Sequence, residues 1–96
     1  MPLSDSQRRY LRALAHHRKP VVTVGARGIG PGVLRELDLS LARHELVKVR
    51  VAGDRDERRA RIEELAAATS AEVVQAIGGV AVLYRPAPEP GISLPR

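Results

Sequence analysis

The chain has no cysteine, no phenylalanine and no tryptophan, and its aromatic content is two tyrosines, Tyr10 and Tyr84. Without thiols there is no disulfide framework, no cysteine zinc cluster and no thiol nucleophile, which fits a reducing compartment. With two aromatic rings, a sheet that stacks bases on aromatic side chains is not expected, and both tyrosines read as core-edge residues. No apolar run approaches the roughly 18 residues of a membrane span, and Met1-Pro2-Leu3-Ser4-Asp5 lacks the apolar core of a secretory signal. The expectation is a soluble, cytoplasmic protein with no membrane partner.

The marks of catalysis are missing as well. No serine sits in a nucleophile elbow, and the carboxylates are interleaved with arginines in the manner of surface ion pairs. The three histidines, His16, His17 and His44, have no metal-ligand spacing. Neither enzymatic activity nor a metal, cofactor or small-molecule substrate is expected.

What is present is a 96-residue chain, 44% hydrophobic, enough for one domain with a modest core. The formal net charge is +5, which suggests an acidic partner, nucleic acid being the commonest. Residues 1–31 hold six basic residues against Asp5 alone, whereas residues 32–71 and 72–96 each balance to zero. The whole excess therefore lies in the first third. A surface charged for solubility scatters its charge, so this clustering favours a binding footprint.

Ser4 with Gln7 three residues on has the spacing of a capping box, which predicts a first helix from Asp5 to His16. At 100° per residue, Tyr10, Leu11, Leu14 and Ala15 share one side, and Arg8, Arg9, Arg12 and His16 the adjacent one. That basic side is either a solvated face or part of a contact surface. Val21 to Val24 reads as a short strand after Lys19-Pro20, and Pro31 fits the first position of a second helix ending near Arg43 or His44. Leu46 to Val51 alternates valines with Lys48 and Arg50, the period-two sign of a strand with one wet side. Asp54 and Glu57 repeat the capping spacing before a third helix that buries Ile62, Leu65, Ala66 and Thr69. Glu72–Ile77 and Val80–Tyr84 flank Gly78-Gly79, a hairpin signal. The result is an α/β domain over residues 1–85: an N-terminal helix, then β-α-β-α-β-β, in a small mixed four-stranded sheet. Residues 86–96, with four prolines, read as an extended tail.

Gly25-Ala26-Arg27-Gly28 lies between the first strand and the second helix. Such a GxxG loop clamps a nucleic-acid backbone in K-homology modules, because absent side chains let main-chain amides approach phosphates. Two rival glycine motifs fail on spacing. Val33 stands where a dinucleotide fingerprint needs its third glycine, and Pro31-Gly32-Val33 lacks the Gly-Lys-Ser/Thr of a Walker loop.

Several blocks together resemble the bacterial YhbY-type CRM domain, the chloroplast RNA splicing and ribosome maturation family. They are the Leu3-Ser4 start with its basic helix, Lys19-Pro20-Val21-Val22, Gly32-Val33-Leu34, the run from His44 to Val51, Gln75-Ala76-Ile77-Gly78, Val82-Leu83-Tyr84-Arg85-Pro86 and Ile92-Ser93-Leu94-Pro95-Arg96. The resemblance implies a fold like the C-terminal domain of bacterial initiation factor three, RNA binding, and association with ribosomal RNA in precursors of the large (50S) subunit. It also implies that Gly25, Ala26, Arg27 and Gly28 are the RNA contact. From the charge pattern, Arg8, Arg12, Lys19 and Arg27 are expected to supply cations, with Lys48 and Arg50 a second tier, in a monomer. The alternative is a protein-interaction module in which the sheet edge or the tail docks a ribosomal protein or assembly factor.

Overall fold

The computed structural model describes residues 2–96. Its elements are α1 (Asp5–His16), β1 (Pro20–Val24), α2 (Pro31–His44), β2 (Leu46–Val51), α3 (Arg55–Thr69), β3 (Glu72–Ile77) and β4 (Val80–Tyr84). Local signals set most of these boundaries. Ser4 and Gln7 form the expected capping box at α1, and Asp54 and Glu57 form the one at α3. Pro31 opens α2, where its fixed φ suits a helix and its missing N–H is no loss.

The sheet order is β1-β2-β4-β3. β1 pairs parallel with β2, and β4 runs antiparallel between β2 and β3. One face carries α2 and α3, whose Leu37, Leu41, Ile62 and Leu65 pack with Val22, Val24, Val47, Val49 and Leu83. The other face carries α1, whose Leu11 and Ala15 pack with Leu46, Val74, Val82 and Tyr84. Tyr84 is buried as expected of a core-edge residue, whereas Tyr10 stays exposed on α1.

Helix α1 covers only part of its face. Beyond it runs the cross-strand row Thr23, Arg50, Val80 and Ile77, in which Val80 is half-buried, Thr23 and Arg50 are exposed and Ile77 is 67% exposed.

The tail of residues 86–96 forms no helix or strand, and it packs against the body. Ile92 and Leu94 join the α1 cluster, and Gln7 Nε2 donates to the Pro95 carbonyl at 3.1 Å. Glu45, buried just past α2 with φ of 63°, accepts the backbone N–H groups of Ala87, Gly91 and Ile92 at 3.0, 2.7 and 3.1 Å. No local pattern announces this docking, because the acceptor and its donors lie more than forty residues apart.

Candidate nucleic-acid interface

Parallel strands joined through helices bring their C-terminal ends to one side, and the loops that follow meet there. At this end lie Gly25–Gly28 after β1, Ala52-Gly53 after β2, the Gly78-Gly79 hairpin tip and the N-termini of α2 and α3. Ala52 N–H donates to Val24 O at 2.9 Å, and Val51 N–H donates to Gly79 O at 2.7 Å, tying the three loops together.

Gly25–Gly28 is a β-turn closed by Gly28 N–H to Gly25 O at 3.0 Å, with Ala26 and Arg27 exposed at its tip. The two glycines have different reasons to be there. Gly28 has φ of 84°, a region other residues enter at a cost. A Cβ on Gly25 would meet nothing within 4 Å, and its φ is not positive. The protein's own packing therefore does not require glycine at position 25. Its bare main chain is open to a ligand.

The turn is held from below by an arginine that the sequence reading did not single out. Arg61 of α3, its side chain 17% exposed, donates from Nη1 to Ala52 O at 2.6 Å and from Nη2 to Ala26 O at 3.3 Å. Its separation of thirty-five residues from Ala26 and its place in an ordinary mixed-charge helix left no sequence signal.

The two helix N-termini at this end differ electrostatically. That of α3 is closed: Asp54 caps it, Asp56 and Glu57 sit in its first turn, and the Asp54 carboxyl is held below its ordinary pKa chiefly by the Glu57 N–H. That of α2 is open, with Gly30 as N-cap, no side-chain capping bond and no acid in the first turn. Its free donors and positive dipole end face the same space as the turn, the arrangement that receives phosphate oxygens.

The nine expected contact residues do not form one patch. Gly25, Ala26, Arg27 and Gly28 stand at the loop end, with Arg50 beside them through its pairing with Thr23. Lys19 precedes the other end of β1, where Pro20 pairs with Lys48, and Lys48 lies two residues from Arg50 on β2, on the same side of the sheet. The four steps from Pro20 to Val24, at about 3.3 Å each, separate the two ends by roughly 13 Å. Arg8 and Arg12 are on α1. Arg12 is exposed, whereas Arg8 is half-buried and its Nη1 donates to the carbonyls of Val73 and Val74 on β3. The basic helix leads through Arg18 and Lys19 into β1, and β1 carries the chain from one end of the sheet to the other.

Among the described residues, no group of three or more His, Asp or Glu side chains is placed to hold a metal ion. Nor, among these residues, is any helix long and apolar enough to cross a membrane.

Comparison with known proteins agrees over nearly the whole chain. A Haemophilus influenzae protein named RNA-binding protein is 47% identical over 95 residues, covering 98% of this chain and 96% of that one. A Pseudomonas aeruginosa relative, named a probable RNA-binding protein, is 42% identical over 95 residues and is covered to 91%. The solution structure of a hypothetical protein from Staphylococcus aureus superposes with a TM-score of 0.84 at 38% identity, covering 98% of this chain and all of the other. The family model for the CRS1 / YhbY (CRM) domain matches residues 3–85. On these grounds, and with the strand–glycine turn–helix unit at the end of its sheet, the chain belongs to the CRS1/YhbY (CRM) domain family.

Proposed function

We propose that this protein binds RNA through the Gly25–Gly28 turn and the open N-terminus of α2, and that it does so on ribosomal RNA in precursors of the large subunit, in the cytoplasm, as an assembly factor without catalytic activity. The observation that carries the reading is Gly25. It is a glycine that neither its backbone angle nor its surroundings demand, next to an uncapped helix start with no acid in its first turn. Arg27 at the turn tip and Arg50 two strand positions away supply charge. Family membership and the names of the relatives support RNA as the ligand.

The test is Gly25→Asp, assayed for co-sedimentation with large-subunit precursors and for affinity to ribosomal RNA fragments. Open space at position 25 predicts a folded variant with unchanged unfolding temperature. The added negative charge should weaken binding at least about tenfold, or about 1.4 kcal/mol. Wild-type affinity should fall steeply between about 50 and 200 mM salt. A folded variant that binds as tightly as wild type would overturn the turn as the contact. A complex that resists salt and survives ribonuclease would favour a protein partner instead.

A further inference from the structure

We propose that the groove at the start of β1 is a second seat for the RNA backbone, physically separate from the glycine turn, with Lys19, Arg43 and Lys48 as its phosphate ligands. The proposal rests on the RNA reading above, and it assigns a role to residues of α2 and of the α1–β1 link that the turn does not use. The groove, about 480 Å³, is lined by Arg18, Lys19, Val21, Arg43, His44 and Lys48, together with Leu46 and Val47 of β2.

Its charge has one sign. Four permanent cations converge from three parts of the chain, and no carboxylate lines the groove. Glu45, the acid adjoining Arg43 and His44, turns its carboxylate away and spends it on the tail N–H groups of Ala87, Gly91 and Ile92. Arg18 is fixed as a wall by Nη1 donating to Leu46 O at 2.8 Å.

Four half-buried arginines elsewhere are already engaged within the protein: Arg8 on β3, Arg58 on Gly53 O, Arg61 on the loops, and Arg85 on Asp38 and Thr69. By contrast, no hydrogen bond or ion pair among the described residues engages the side chains of Lys19, Arg43, His44 or Lys48. Like charges gathered well within a Debye length repel one another, and although the C-terminal dipole end of α2 favours cations at Arg43 and His44, no carboxylate lining the groove neutralises them. An anionic ligand does. A lone phosphate needs no apolar surface, but Val21, 53% exposed, gives this groove an apolar wall between the cations. Cations around an apolar surface match a ribose–phosphate stretch, with oxygens for the cations and sugar or base for the valine.

Position completes the argument. β1 is an edge strand, with the groove at its start and the glycine turn at its end. One RNA strand laid along this edge reaches both seats.

The experiment uses the full chain with Lys19→Ala, Arg43→Ala and Lys48→Ala combined. Binding of labelled single-stranded ribo-oligonucleotides is followed by anisotropy over a salt series. Each phosphate contact on a single strand contributes about 0.7 to the slope of log K against log salt, so the triple variant should lose about 2 from that slope. An equal-charge control, Arg9→Ala, Arg59→Ala and Arg96→Ala, should keep the wild-type slope. Lys19→Glu alone should weaken binding in the same direction, and unchanged unfolding temperatures establish that the variants are folded. If the triple variant keeps the wild-type slope while Gly25→Asp loses binding, the second seat is overturned and the turn stands. If the triple variant keeps RNA but loses a ribonuclease-resistant protein complex, the groove belongs to an acidic protein segment and the proposal fails. If wild type binds no RNA at low salt, the RNA reading itself falls, and this proposal falls with it.

Discussion

Replacing Glu45 by alanine removes the acceptor for three tail N–H groups, those of Ala87, Gly91 and Ile92. Hydrogen bonds to a charged group contribute a net 1.5 to 3 kcal/mol or so apiece, but the three losses do not add here. A tail released from the body returns its N–H groups to water, so the cost is capped by the free energy of docking. We expect Glu45→Ala to cost about 2 to 4 kcal/mol. Each kcal/mol lowers the unfolding temperature by about 4 to 8 °C in a domain of this size. Glu45 also sits at φ of 63°, so Glu45→Gly, equally unable to accept the bonds, should be less damaging than Glu45→Ala by about 1 kcal/mol. Burial by itself would raise the Glu45 carboxyl pKa, but the three backbone N–H groups outweigh it and hold the group below its ordinary value. A carboxyl depressed in the folded state contributes stability that is fully present above its unfolded pKa and is lost as pH falls through its folded pKa. Wild type should therefore lose this increment on acidification, whereas Glu45→Gln should show a shallower acid limb. The assays are urea unfolding across acid pH and amide exchange at Gly91 and Ile92. Unchanged stability and unchanged exchange in Glu45→Ala would show that apolar contacts of Ile92 and Leu94 alone hold the tail.

Two further substitutions separate structural arginines and glycines from binding ones. Arg8→Ala should lower stability by about 1 to 3 kcal/mol, because it frees two β3 carbonyls, and should leave the salt slope of RNA binding unaltered. A changed slope at constant stability would return Arg8 to the binding surface. Gly53 has φ of 119°, and a Cβ there would stand 2.9 Å from Arg61 Nη1 and 3.0 Å from Glu57 Cβ. Gly53→Ala should cost about 1 to 3 kcal/mol and speed amide exchange at Gly28, since Arg61 can no longer brace both loops. Wild-type exchange in a destabilised variant would uncouple Arg61 from the turn.

Local chemistry decided the elements. Capping boxes, the Pro31 start, the valine alternation of β2 and the Gly78-Gly79 turn act over a few residues, so seven elements and the strand–turn–helix unit around Gly25 were legible without coordinates. The same short range explains what was not legible. The insertion of β4 between β2 and β3 depends on long-range pairing, and it decides which rows of the sheet stay open. Arg61 under the glycine turn and Glu45 on the tail act across separations that no periodic pattern encodes. The charge count located the positive excess in the first third of the chain, but it could not say where that third goes in space. β1 spans about 13 Å from Pro20 to Val24, so Lys19, one residue before it, starts farther still from the turn, and the β3 backbone takes up Arg8. The sequence by itself determined that a glycine turn would stand exposed before an open helix start. Only the tertiary structure decided which cations stand with that turn, and which gather with Arg43 and His44 at the other end of the strand, because charge acts through distance in space rather than along the chain.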